Sequence, residues 1–352
     1  MKILHVVDSG FFEQHRKTVV ETLLALADAG VEQAAYAPEG ETLGGLDARM
    51  PLAHFKVAKD GRASGLSNRI RAWRMARTFG PDIAIKWGPA AREAAPSGGF
   101  VQVSFVNERE NLRRFDRADY VMTNLDSVLS WAKNNGFSGT KSFMLPSFVY
   151  EYKNMPPVLK RDFFIPEKAK IIYISGNFSR GIGYETLFDA IPSLVDVYFF
   201  IAGAGRDEEY IKDCASRANV KSRSRFIPEI ERTQAALSLS DFALLPFDSS
   251  ETAKDILEAQ AAGKVVLTLR TDSAKEFVSE GKTGFTVPKG DSYLLRRRIK
   301  EIISMDADEK RKIAEAALES ASQYRAAKVV PGYVSAFEEL VAKYRSRKNL
   351  LH

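Results

Sequence analysis

Cysteine is almost missing: Cys214 is the only one in 352 residues. No disulfide can form within the chain, and a reducing compartment suits it. Long apolar runs are missing as well; none reaches the ~18–20 residues that a membrane-spanning helix requires. The opening stretch Met1-Lys2-Ile3-Leu4-His5-Val6-Val7 runs straight into Asp8. It is too short for a signal peptide and reads as a first buried strand. Histidine is scarce, with four in the chain, and no Cys/His cluster has metal-ligand spacing, so no metal site is expected. Acid is scarce in one region only: Ala48 to Pro81 holds eight basic residues against Asp60 alone. These absences point to the cytoplasm, or to attachment at the inner face of a membrane.

What is present is the composition of a globular protein, 45% hydrophobic and 27% charged, with a net charge of +6. The length fits two domains rather than one core. Apolar strands alternate with helices. Residues 3–7, 82–85, 101–106 and 120–123 read as strands, and Thr18 to Ala29 as a helix ended by Gly30. Pro146, Pro156, Pro157 and Pro166 interrupt the rhythm. After them it restarts, with strands at 169–176, 195–202, 224–227, 242–245 and 265–269 and a helix at 184–194. Such alternation predicts parallel sheets covered on both faces. The expected organisation is an α/β chain of two Rossmann-like, doubly wound domains. Residues 1–150 form the first, 151–165 a linker, 166–328 the second, and 329–352 a final helix. Ligands of such domains bind at the carboxyl ends of the strands, so two of them facing each other make a cleft.

Four stretches carry a resemblance. They are Phe164 to Ile172, Gly176-Asn177-Phe178-Ser179-Arg180-Gly181-Ile182-Gly183, Glu258-Ala259-Gln260-Ala261-Ala262-Gly263-Lys264, and Glu276 to Val287. In order they resemble the entry into the second domain, G-R-L-x-x-x-K-G, E-A-M-A-x-G and E-I-V-x-x-G-x-T-G-x-L-V of the family 4 retaining glycosyltransferases. That resemblance implies the GT-B fold and, with the final helix crossing back to the first domain, a nucleotide-diphospho-sugar donor held by the second. It implies a glycan or lipid-linked hydroxyl acceptor, and no cofactor beyond the donor substrate.

The resemblance also implies site residues. Glu258 matches the acid that holds the ribose hydroxyls, and the backbone around Ile227 would receive the base. The family's loop arginine and lysine fall on Asn177 and Ile182, so Arg180, in the same loop, is the candidate for the diphosphate, with Lys254 or Lys275 as the alternative. A second family glutamate stands eight residues before Glu258. Here that place is Ser250, with Glu251 seven away; either a deletion leaves Glu251 near the donor sugar or the role is lost. Asp272-Ser273 replaces a glycine pair close to the phosphates, which puts Ser273 beside the donor. In the first domain Gly10 stands where the family has a glycine-rich loop. Asn107, with Glu108 after it, stands where many relatives carry a histidine followed by an acid; the alternative is a surface loop of paired charges.

Other signals read more simply. Asp306-Ala307-Asp308 imitates a metal-binding D-x-D, yet Glu309 follows and a helix start explains it. Gly203-Ala204-Gly205 lacks the third glycine of a dinucleotide fingerprint and reads as a strand-to-helix turn. His5 reads as buried structure, and His15 as part of a helix start or, alternatively, as a group approaching the cleft. In residues 62–77, Leu66, Ile70 and Trp73 share a helical face among arginines, a pattern that fits an anionic membrane surface or a core-packed helix with solvated arginines. Rival readings are a non-catalytic GT-B-like subunit with a degenerate donor site, a sugar-nucleotide epimerase, and a nucleic-acid binder, which is not favoured.

Overall fold

In a computed structural model the chain divides into two compact units, Met1–Ser147 with Ala326–His352, and Phe148–Arg325. The structure describes residues 1–38, 52–55, 66–88, 91, 95, 96, 98–107, 109, 118–136, 141–152, 158–194, 196–227, 230–249 and 251–349.

The first unit is built on a parallel sheet of β1 (Lys2–Val7), β2 (Glu32–Pro38), β3 (Leu52–Phe55), β4 (Ile83–Trp87), β5 (Val101–Phe105), β6 (Tyr120–Thr123) and β7 (Ser142–Met144). Their order is β3-β2-β1-β4-β5-β6-β7. The order reverses between β1 and β4, the switch point at which ligands of such sheets bind. Both faces are covered, as the unbroken apolar strands require. One face holds Leu4, Val6, Tyr36 and Ala84 against Ala72 and Ala76 of α2 (Leu66–Phe79). The other carries His5, Trp87 and Phe105 toward Phe11 of α1 (Ser9–Asp28).

α1 begins nine residues before the helix that periodicity predicts. Asp8 caps it, its Oδ1 accepting from the N–H groups of Gly10 at 2.8 Å and Phe11 at 3.1 Å. Asp-Ser-Gly resembles a turn in sequence but serves here as a cap and first turn. At His15 the backbone leaves helical geometry (φ −127°, ψ 28°) and kinks the helix. Apolar spacing is therefore regular only after Thr18. α3 (Asp126–Asn134) follows β6, and the terminal helix, numbered α11 below, runs from Ala326 to Asn349 with Pro331 inside it. Pro331 and Gly332 obscure its first turns in sequence, which left only Tyr333 to Tyr344 at visible helical spacing. Its Tyr333 hydroxyl donates to the Pro146 carbonyl at 2.8 Å, and burial raises that phenol's pKa.

The second unit repeats the plan. Strands β8 (Lys170–Ser175), β9 (Val197–Ala202), β10 (Ser224–Ile227), β11 (Phe242–Leu245), β12 (Val266–Leu269) and β13 (Phe285–Val287) lie in the parallel order β10-β9-β8-β11-β12-β13. Helices α4 (Tyr184–Ala190), α5 (Glu208–Arg217), α6 (Ile230–Leu239), α7 (Thr252–Ala261), α8 (Asp272–Phe277), α9 (Ser292–Ser304) and α10 (Ala307–Ala321) complete it before α11. Asp306 caps α10, accepting from Asp308 and Glu309 N–H, so the D-x-D is a helix start. Gly203-Ala204-Gly205 is the turn from β9 toward α5. The fold is α/β, two Rossmann-like, doubly wound units. Among the described residues, no helix is long and apolar enough to cross a membrane.

Candidate active site

In the second unit the order reverses between β8 and β11, and the strand ends there pack without room for a side chain. A Cβ on Gly176, just after β8, would collide with the Phe247 ring beyond β11. Gly203 holds φ +153° at the end of β9, and a Cβ there would strike the Gly176 carbonyl. The Tyr184 hydroxyl donates to that same carbonyl at 3.1 Å.

β11 leads into α7, whose buried residues run from Thr252 to Gln260. Glu251, at its N-cap, is buried too. At about 3.6 residues per turn, Glu251, Lys254, Asp255 and Glu258 fall on one face of this helix. Burying charge costs free energy unless each group is met by a partner. Lys254 Nζ donates to the Phe148 carbonyl at 2.8 Å and stands 3.8 Å from Glu258 Oε1. Asp255 Oδ1 accepts from Ser175 Oγ at 2.9 Å, which ties α7 to the end of β8. Three carboxylates and one ammonium thus share one buried face beside the switch point.

The remaining expected donor residues surround these elements. Arg180 is exposed in the loop after β8. Its Nε lies 3.2 Å from Asp207 Oδ1, and its guanidinium sits 4.1 Å from the centre of the Tyr210 ring. Asn177 is half-buried in the same loop, and its carbonyl accepts from Ser179 N–H. Ile182, standing where a cation was sought, packs against the apolar core of the unit. Ile227 ends β10, and its carbonyl accepts the Gly203 N–H at 3.1 Å. Ser273 lies in the first turn of α8 with its hydroxyl 3.1 Å from that of Thr271. Lys275 pairs with Asp272 in solvent. Ser250, Pro228, Glu108 and Glu110 lie outside the described residues.

In the first unit, Gly10 belongs to the first turn of α1 rather than to a glycine-rich loop. Asn107 follows β5 and is buried; its Nδ2 lies 3.1 Å from His15 Nδ1, at the kink in α1, where His15 is buried too. Deeper in the sheet Trp87 Nε1–H donates to His5 Nδ1 at 3.1 Å, which places the His5 proton on Nε2, facing Gln33 Oε1 at 2.9 Å. Burial without a counter-charge pushes the His5 pKa down to about 3, the Gln33 bond opposing in part. His5 is structural, as its place inside a strand suggests.

Three further buried polar residues stand out, His15, Asp255 and Lys86. The sequence offers His15 either as part of a helix start or as a group approaching the cleft, and nothing local in it joins His15 to Asn107, 92 positions on. Asp255 was passed over, although it falls four residues after Glu251 and three before Glu258. Lys86 is buried in β4, on the sheet face opposite Trp87. A lysine within an apolar run on a strand buried on both faces was a visible signal.

The family model for glycosyl transferases group 1 matches residues 157–320, the span that carries the α7 cluster and the Arg180 loop. These residues are similar to the group 1 glycosyltransferases. The likeness extends beyond these residues. The lipopolysaccharide core biosynthesis glycosyltransferase LpsE of Rhizobium meliloti strain 1021 is 24% identical over 291 residues, 81% of this chain and 84% of LpsE. LpsD of the same organism is 21% identical over 350 residues, 97% of this chain and all of LpsD. The crystal structure of Anabaena HepE in complex with UDP and glucose superposes with a TM-score of 0.76 at 16% identity, covering 96% of this chain and 99% of HepE. The chain thus has the GT-B fold, and its residues 157–320 are similar to glycosyl transferases group 1.

Proposed function

We propose that the chain transfers a sugar, with retention of configuration and without a bound metal, from a nucleotide-diphospho-sugar to a hydroxyl of a glycan or lipid-linked acceptor in lipopolysaccharide assembly. The observation that carries this is the buried face of Glu251, Lys254, Asp255 and Glu258 at the β8/β11 switch point of the second unit. The relatives support the pathway, since LpsE and LpsD are named for lipopolysaccharide core biosynthesis. The HepE complex, which holds UDP and glucose, supports the donor class.

In this reading Glu258 accepts hydrogen bonds from the two ribose hydroxyls, a task for a carboxylate held in one position by its neighbour. Lys254 fixes that position, because its ammonium is already committed to the Phe148 carbonyl and to Glu258. The diphosphate then falls to Arg180, whose exposed guanidinium exchanges the half-buried Asp207 carboxylate for phosphate oxygens. Charge develops on the departing diphosphate, so a cation placed there lowers the barrier. Glu251 stands at the N-cap of α7 beside the donor sugar. The acceptor hydroxyl attacks from the leaving-group side, which gives retention, with Asn107 orienting it. The enzyme works at the cytoplasmic side of a membrane.

A thermal-shift panel of UDP, GDP, ADP and their sugar conjugates tests this with wild type, Arg180→Ala and Glu258→Gln. One nucleotide should raise the wild-type Tm and leave both variants unmoved. No shift with any nucleotide would sink the donor-site reading. That outcome would favour a non-catalytic GT-B-like subunit, which the core-packed Ile182 in place of a loop cation already supports.

A further inference from the structure

α2 has two faces with different partners. Ala72 and Ala76 face the core, with Met75 and Phe79 packed beside them. On the opposite side Ile70 and Trp73 are 41% and 48% exposed, large apolar groups turned to solvent. With about 3.6 residues per turn, Ile70, Trp73 and Arg77 form one stripe on that outer side, and Arg74 flanks it. Arg71, Arg74 and Arg77 are exposed, and the Arg77 guanidinium lies 5.3 Å from the centre of the Trp73 ring. Between Arg62 and Gly80 the sequence places five arginines and no acid. The core of the unit therefore does not use this apolar stripe, and the helix itself carries no acidic residue.

We infer that the outer face of α2 docks the protein on an anionic lipid bilayer. Tryptophan and isoleucine settle at the boundary between headgroups and acyl chains, where an indole finds both apolar and polar surroundings. The arginines meet lipid phosphates at the same level, and their long stems let the charged heads remain in the headgroup layer. Charge complementarity selects an anionic membrane over a neutral one. The exposed Trp73 and Ile70 select a membrane over a nucleic-acid duplex, whose backbone asks for cations alone. This inference does not depend on the sugar-transfer reading, since docking requires no nucleotide.

The test is flotation of the full-length chain with vesicles of phosphatidylcholine alone, and with phosphatidylcholine containing phosphatidylglycerol. Wild type, Ile70→Ser/Trp73→Ser and Arg74→Gln/Arg77→Gln are compared, with a duplex DNA binding assay alongside. Wild type should float with the anionic vesicles and stay behind with the neutral ones. At about fivefold per arginine, the arginine pair should weaken partition roughly 25-fold. The serine pair should weaken it severalfold even at low salt, and Trp73 fluorescence in wild type should shift to the blue on binding. Every substituted side chain is exposed, so each variant should keep the wild-type Tm; should one unfold, the other pair decides. Failure of wild type to float, equal flotation of variants and wild type, or duplex binding without vesicle binding would each overturn the inference. Nucleotide thermal shifts measured on the same preparations keep this outcome separate from that of the donor site.

Discussion

Lys254 and Glu258 stand one turn apart on a helix that hides them both, with 3.8 Å between ammonium and carboxylate. The Phe148 carbonyl accepts from the same ammonium at 2.8 Å. The lysine thus fixes both the carboxylate proposed for the ribose and the chain segment at the start of the second unit.

Removing that lysine leaves a carboxylate buried without its cation. Lys254→Met should cost about 3–5 kcal/mol of stability, read from urea unfolding. Adding Glu258→Gln should restore part of the loss, because the stranded charge is then gone. A single-variant loss under about 1 kcal/mol would show that the pair is not coupled in the folded state.

Arg180→Ala should behave in the opposite way. Its ion pair with Asp207 is open to solvent, so folding stability should change by less than about 1 kcal/mol. Donor turnover should fall by about two orders of magnitude if the guanidinium meets developing charge on the diphosphate. An unchanged kcat/KM would assign Arg180 to the surface and pass the phosphate role to Lys275, since Lys254 is committed to Glu258 and the Phe148 carbonyl.

His15 and Asn107 belong to the first unit, and their effect should appear on the acceptor side. His15→Ala should lower the acceptor-dependent rate while nucleotide thermal shifts persist. His15→Gln, which keeps a hydrogen-bonding group beside the Asn107 amide, should recover part of the rate. Equal losses in the two variants would point to packing against Phe11, whose ring lies 4.2 Å from the imidazole.

His5 gives the first unit a built-in sensitivity to acid. Its pKa falls from 6.5 in the unfolded chain to about 3 in the folded one. Above 6.5 both states are neutral, and His5 adds no pH dependence. As the pH falls from 6.5 toward 3 the unfolded chain takes up the proton first, so stability drops. The slope approaches about 1.4 kcal/mol per pH unit within that window. Unfolding at pH 7 and pH 5 should show this loss in wild type, and His5→Gln should reduce it. Parallel pH curves for the two would refute the assignment.

Much of the scaffold could be read from the chain, and the reasons are local. β8, β9 and β11 are largely apolar runs, and Asp306 with Glu309 marks a helix start. β2 was missed, since Ala34, Ala35 and Ala37 are small and carry little strand signal. β7 and β13 have only three residues each, too few to show a period. The α7 carboxylates Glu251 and Glu258 came from a motif, whereas Asp255 needed the helix face to be drawn.

The sequence by itself determined the strand-helix alternation, the restart after the proline-rich segment, and the group 1 motifs of the second half. Each depends on side chains a few positions apart, which sample the same backbone geometry in any context. Tertiary structure alone decided that Asn107 meets His15, that Lys254 reaches the Phe148 carbonyl, and that Ile70 and Trp73 turn away from the core. These contacts depend on sheet order and on which helix face the sheet covers. A periodicity identifies an apolar face, but only packing determines whether that face is buried.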